Sequence, residues 1–228
     1  IPKEIDRDGI HGYLWKNVCL KLIQWKESYA LPLLDVLLIE MGQAYRLSYD
    51  LYVASLANEL VRSDPAGAWK IVKAHFEKTL PKWNSSLLHW LNGGLSGFNE
   101  EDTVGAIGDL PIYDVIEWIE GDIEHRAVLM AHAVPGTLDD EKGGRLTREL
   151  LFRYGQLDGV RSSISATFHS GGWSGLASIY LKGKRDRLRR WLAADLELEV
   201  IQWIETEIEY FDKMIAKEET DEERSRFN

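Results

Sequence analysis

Apolar residues recur in the middle of the chain at the spacing of an α-helix. Ile112, Val115, Ile116 and Ile119 follow the i, i+3, i+4, i+7 pattern that puts side chains on one helical face. The acidic residues of the same stretch turn to the other face; they are Asp114, Glu117 and Glu120. The segment is therefore predicted to be an amphipathic helix.

The same period occurs in two later segments. The first has its periodic positions at Val160, Ser163, Ile164 and Thr167, and the second at Ile201, Ile204, Ile208, Phe211 and Ile215. We expect the second helix to run from about residue 196 to 217, and the acidic tail after it to fray into solvent. The chain has 30 Leu against 11 Val and 7 Thr and no convincing alternating strand, so it is predicted to be all-α.

Three short stretches share a pattern that predicts a tight corner between two helices. Each has two apolar residues, two others and then an aspartate: Leu60–Asp64, Trp118–Asp122 and Trp191–Asp195. The apolar pair would end one helix on its buried face, and the aspartate would accept backbone N–H bonds as the N-cap of the next. Helix, corner and antiparallel helix would then repeat along the chain.

Recurring helix pairs are typical of an α-solenoid, in which each pair is buried against its neighbours. We therefore expect a HEAT-like α-solenoid of antiparallel helix pairs, with an irregular helical bundle as the alternative. The polar, glycine-containing segment 99–111 is the predicted linker or inter-repeat loop. It would separate N-terminal helical repeats at 1–98 from C-terminal HEAT-like repeats at 112–228, which end in the acidic tail.

Composition narrows the class of protein. The 228 residues are 45% hydrophobic and 28% charged, which is enough for a packed core. Cys19 is the one cysteine, so no internal disulfide forms, and with no apolar run of membrane-spanning length we expect a cytoplasmic protein without membrane contact. The chain starts at Ile1, so we expect a trimmed or excised piece of a longer polypeptide, and any catalytic domain of that parent would lie outside it. The net charge of −10 argues against a general phosphate-binding surface.

A search for catalytic or metal-ligating patterns leaves one enzyme hypothesis. The six histidines show no metal-ligand spacing, and no cofactor motif is found. Arg126 and His132 form an Arg-x5-His spacing, which resembles the signature of HEPN ribonucleases. That resemblance implies action on an RNA phosphate in a dimer cleft, where a cation stabilises charge and a histidine moves protons. The competing interpretation is structural, with His132 packed or half-buried beside Val128 and Leu129.

The strongest candidate for binding is a basic run in an acidic chain. Lys182, Arg185 and Arg189 would share one face of a helix. That face either pairs with acidic neighbours or contacts an anion or nucleic acid. Nine tryptophans should mostly be core anchors, but Trp173 lies in a glycine-rich stretch close to the basic run. We therefore name Trp173, Lys182, Arg185 and Arg189 as candidate binding residues.

A resemblance to a known class of proteins rests on the C-terminal half. Phe168–Gly175, Ser178–Tyr180, Lys182 and Trp191 look like a pattern near the C-terminus of large bacterial multidomain proteins, the NACHT and other STAND-type NTPases, many associated with anti-phage defence. The later part of the resemblance comprises Trp203, Ile208–Tyr210, Ile215–Lys217 and Glu222 to Phe227. It covers residues 112 to 228 and implies a HEAT-like sensor region without catalytic residues. A helix-breaking proline usual between the last two helices is missing here.

The predicted function is that of a non-catalytic interaction or sensor module in a bacterial signalling or defence protein. Its expected partner is another protein or an upstream effector or NTPase domain, with a possible local contact to an anion or nucleic acid. Two alternatives stay open at this point: a HEPN-like ribonuclease that uses Arg126 and His132, and a non-catalytic nucleic-acid-binding platform.

Overall fold

The computed structural model describes residues 10–43, 51–78, 105–140, 143–170, 175–194 and 196–227. Over these residues the chain is all-helical, with ten α-helices and no strand, which confirms the predicted all-α class. The first four are α1 (Ile10–Trp25), α2 (Ala30–Gln43), α3 (Leu51–Ser63) and α4 (Pro65–Lys78). The other six are α5 (Ile112–Glu120), α6 (Ile123–Ala133), α7 (Gly144–Tyr154), α8 (Asp158–His169), α9 (Ala177–Trp191) and α10 (Leu198–Phe227).

The helices pack in overlapping pairs along the chain. In the first half α1 and α2 both contact α3, and α2 and α3 both contact α4. In the second half α5 contacts α6, α6 and α7 contact α8, α7 contacts α10, and α9 lies along α10. None of the described helices is long and apolar enough to cross a bilayer.

The predicted helical stripes form the core of the second half. Val115, Ile116 and Ile119 of α5 are buried, as are Val160 and Ile164 of α8. In α10 the buried positions of the stripe are Ile204, Phe211 and Ile215. All four tryptophans whose side chains are described are buried, as expected for core anchors: Trp69, Trp118, Trp191 and Trp203.

Trp118 of α5 joins the two halves of the chain. Its ring packs edge-on against Trp69 and is stacked on Phe76, both from α4, with centroids 5.5 and 5.6 Å away. Its indole N–H donates to Glu77, also on α4, over 3.3 Å. An aromatic cluster of this kind buries a large apolar area, so it supplies much of the cohesion between α4 and α5.

The end of the predicted linker is a short buried turn. Residues Ala106–Asp109 form a 3₁₀ turn that contacts α3 and α7, with Ala106 and Ile107 buried. The Ala106 amide donates to the Asn58 side chain over 2.6 Å, and Arg62 forms an ion pair with Asp109. These contacts attach the turn to α3.

The three corner aspartates have different surroundings. Asp64 accepts a hydrogen bond from the Gly67 amide over 2.9 Å, so the predicted N-cap of α4 is confirmed. Asp122 stands at the N-cap position of α6 but makes no side-chain cap bond, because its carboxylate pairs with the His125 ring over 3.0 Å. Asp195 lies outside the described residues.

The expectation of a frayed acidic tail was wrong. α10 continues as a helix to Phe227, well beyond residue 217. Glu219 forms an ion pair with Lys182, and Glu222 accepts hydrogen bonds from the backbone N–H and the hydroxyl of Ser178. The tail stays helical because its carboxylates meet donors on α9.

Two glycines give a matched test of this packing. A Cβ on Gly108 would lie 2.3 Å from the Cα of Gly143, whereas one on Gly183, inside α9, would meet no atom of the described residues within 4 Å. We expect Gly108→Ala to be strongly destabilising, since one of the two backbones must move. Gly183→Ala should instead stabilise the protein by up to about 1 kcal/mol, because alanine is the better helix former. Urea unfolding of both variants measures this, and equal effects would contradict the packing described.

Candidate functional site

The basic face predicted on α9 points toward α10 and is paired with its acidic residues. Lys182 lies 2.5 Å from Glu219, and Arg185 lies 3.1 Å from Asp212. Arg189 reaches the other oxygen of Asp212 over 3.5 Å. Helical spacing thus brings the three predicted cations together, but on the edge where the two helices meet.

Arg185 is the most enclosed of these three cations, with 18% of its side chain exposed. Partial burial disfavours its charge, but hydrogen bonds to Asp212 and Asp186 outweigh this and raise the pKa of Arg185 above its ordinary value. A guanidinium shared between two carboxylates is held in one position. Trp173, the fourth predicted binding residue, lies outside the described residues.

Lys184 belongs to the same basic run but points into the protein. Its side chain is 6% exposed, and its ammonium donates to the carbonyl oxygens of Phe168 and, over 2.9 Å, Ser170. These oxygens end α8, where a positive charge also complements the helix dipole. The ammonium lies over the rings of Phe168 and Tyr180 as well, about 5 Å from each centroid. Lys184 is therefore a structural cation that fixes the end of α8 on α9.

A buried carboxylate joins α8 to α10. Glu207 accepts hydrogen bonds from the Ser165 hydroxyl and from His169 Nε2, each over 2.5 Å. The Trp203 indole N–H donates to the same Ser165 oxygen over 3.0 Å, and the His169 ring is stacked on Tyr210. Nucleophilic catalysis needs a histidine beside the serine, whereas here Glu207 stands between Ser165 and His169. The cluster acts as a polar anchor of the core.

Arg126 and His132, the pair proposed for RNA cleavage, do not form one site. Six residues along a helix correspond to a rotation of about 240° and a rise of about 9 Å. The Arg126 guanidinium donates to the Trp118 carbonyl over 2.7 Å and lies 4.8 Å from the Trp118 ring centroid, so it closes the end of α5. His132 is exposed, so the expectation of a half-buried ring was wrong. Its Nδ1 forms a hydrogen bond with the Val128 carbonyl oxygen of its own helix, and its Nε2 lies 3.4 Å from the Ser163 hydroxyl of α8.

Other reactive groups are enclosed without forming a site. Burial raises the pKa of the Cys19 thiol, which makes it less reactive at neutral pH. Burial also raises the pKa of Tyr154, whose hydroxyl meets no hydrogen-bond partner among the residues that the structure describes. Among the described residues no group of His, Cys, Asp and Glu is arranged to hold a metal ion.

Sequence reasoning missed the role of Lys184, although a signal for it was present. Tyr180, Lys184, Leu188 and Trp191 follow the i, i+4, i+8, i+11 spacing of one helical stripe. The charged ammonium of a lysine within such a buried stripe needs hydrogen-bond acceptors. The carbonyl groups at the end of a neighbouring helix, which have no partner inside that helix, are suitable acceptors.

Comparison with known proteins gives no relative from which a role could be transferred. The chain matches no protein-family model, and no curated protein and no solved structure is significantly similar to it. The roles of the candidate residues therefore rest on their contacts within the structure.

The structural role of Lys184 can be tested against its neighbour Lys182. Lys184→Met keeps the apolar stem but leaves the carbonyls of Phe168 and Ser170 without their ammonium, so we expect a loss of about 2 kcal/mol. Lys182→Met removes an exposed ion pair and should cost less than about 1 kcal/mol. Urea unfolding of both variants provides the comparison, and a neutral Lys184→Met would refute the assigned role.

The corner between α5 and α6 yields a pH prediction. The hydrogen bond with His125 lowers the pKa of Asp122, and the same bond raises the pKa of His125. The stability that ionised Asp122 contributes is lost as pH falls through its lowered pKa, and the stability that protonated His125 contributes is lost as pH rises through its raised pKa. The ion pair therefore stabilises the folded protein between those two pKa values. An NMR titration should place His125 above the usual value of about 6.5 and return it there in Asp122→Asn; an unchanged His125 titration in that variant would exclude the pair.

Proposed function

We propose that the chain is a non-catalytic, HEAT-like interaction module that binds a protein partner on the outer face of α9. The observation that carries this proposal is an uncovered apolar stripe. Leu176 and Ile179 are 42% and 64% exposed, and no atom of the described residues would contact a Cβ on Gly183, one turn further on. Residues spaced i, i+3, i+7 share one helical face, so the three form a continuous strip of surface.

The edges of the stripe indicate the chemistry of the partner. Single exposed aliphatic residues are common, but adjacent ones beside an open glycine provide a place for another side chain. Arg190 continues the stripe and is exposed, and Lys182 and Arg189 lie at the edge facing α10. A partner segment with aliphatic and acidic side chains fits this arrangement. Trp173 stays a predicted binding residue on the evidence of the sequence alone, since it lies outside the described residues.

Two further considerations support a module of this kind. Contacts of α1 with α3, of α2 with α4 and of α6 with α8 are those expected when helix hairpins stack, as in a HEAT-like array. The resemblance of residues 112–228 to the helical regions of bacterial NACHT and STAND-type NTPases fits the same proposal. In such a cytoplasmic parent another domain would carry out the chemistry, and this chain would sense or hold the partner.

A nucleic-acid platform has less support than a protein partner. Binding to nucleic acid is dominated by cations that neutralise phosphates. Here Lys182, Arg185 and Arg189 are already neutralised by carboxylates of α10, and the net charge of the chain is −10.

Affinity capture with a matched pair of variants tests the proposed surface. Ile179→Asp places a negative charge in the middle of the stripe, and Val18→Asp makes the same change at another exposed aliphatic residue, 54% exposed on α1. We expect proteins captured by the wild type to be retained by Val18→Asp and reduced at least about tenfold with Ile179→Asp, as for an interface residue worth over 1.4 kcal/mol. Equal retention by both folded variants would refute the assignment to α9.

A further inference from the structure

The last three turns of α10 differ in composition from the rest of the helix. Among the side chains of α10 that the structure describes, the last buried apolar one is Ile215. Between residues 216 and 226 the sequence has one apolar residue, Ala216, and its side chain is exposed. Packing of apolar area therefore stabilises α10 up to Ile215 and contributes little over residues 216–226. We call residues 216–226 the arm.

Polar contacts hold the arm against the first turns of α9. Glu219 lies 2.5 Å from the Lys182 ammonium. Glu222 accepts from the Ser178 backbone N–H over 3.1 Å and from the Ser178 hydroxyl over 2.7 Å. The two glutamates are one turn apart on α10, and their partners are one turn apart on α9. Because the two helices run antiparallel, each glutamate lies opposite its own partner.

The contact of Glu222 also completes α9. The first backbone N–H groups of a helix have no partner inside it, and a carboxylate there satisfies them and complements the dipole. Leu176, at the N-cap position of α9, makes no side-chain cap bond. Glu222 supplies this cap from 44 residues away.

We propose that the arm is an electrostatically held segment that detaches from α9 while the remainder of α10 stays packed. Its attachment depends on carboxylates that face water on one side, and such interactions weaken as salt screens them. Detachment uncovers the Ser178 N–H and the Lys182 ammonium and removes the cap of α9. Detachment of the arm is thus coupled to loss of the N-terminal cap of α9.

Hydrogen exchange of the full chain, followed by mass spectrometry and NMR, tests the arm. Raising salt from about 0.1 M to about 1 M shortens the screening length from about 10 Å to about 3 Å. We expect the amides of residues 218–226 and of Ser178 to exchange about fivefold faster at high salt, the scale of one exposed ion pair with a charge-assisted hydrogen bond. Amides of residues 200–215 should keep their protection and serve as the internal reference.

Charge-neutralising variants separate this proposal from ordinary fraying. The double variant Glu219→Gln with Glu222→Gln should show the fast exchange already at low salt. Glu223→Gln removes one carboxylate charge on the exposed side of the arm and should behave as the wild type. The proposal is overturned if the double variant matches Glu223→Gln, if salt leaves the arm and Ser178 unchanged, or if residues 200–215 lose protection together with the arm.

Discussion

The second half of the structure depends on the way α8 ends. Phe168 is fully buried there, and its ring contacts Trp191 of α9 together with Trp203 and Phe211 of α10, at centroid distances between 5.7 and 5.9 Å. The Lys184 ammonium donates a hydrogen bond to the Phe168 carbonyl oxygen. The backbone of Gly136 approaches so closely that a Cβ on Gly136 would lie 2.5 Å from the Phe168 Cα. Apolar packing, helix capping and a close backbone approach thus meet at one residue. Phe168 thereby positions α8, α9 and α10 and the loop after α6 relative to one another.

The sequence predicted the helices of the second half well because their apolar residues repeat with the period of the helix. The stripes of α5, α8 and α10 need only local spacing, and burial follows from the need to cover them. The pairing of the basic run needed different information. Asp212 and Glu219 lie 27 and 37 residues from their partners Arg185 and Lys182, so the pairs depend on how α9 and α10 align. No pattern within one helix encodes that alignment.

The corners show how one local pattern leads to different contacts. Asp64 and Asp122 stand in the same sequence context, yet Asp64 caps its helix and Asp122 pairs with a histidine three residues on. A competing donor on the side chain of His125 is enough to change the outcome, because both interactions are local and similar in strength. The end of α10 was mispredicted for a related reason. A run of acidic residues indicates solvent exposure unless hydrogen-bond donors and cations on another helix face it. Which residues of α9 face the end of α10 follows from the tertiary structure and not from the local sequence.

Trp118 determines how far the two halves of the molecule can behave separately. Separating α4 from α5 would expose its ring together with those of Trp69 and Phe76. It would also break the bond of its indole N–H to Glu77 and remove the ring on which Arg126 rests. Unfolding of one half would therefore expose apolar rings of the other half, so we expect a denaturant to unfold both halves in a single transition. Intrinsic fluorescence, to which Trp118 contributes as one of nine tryptophans, would follow that transition.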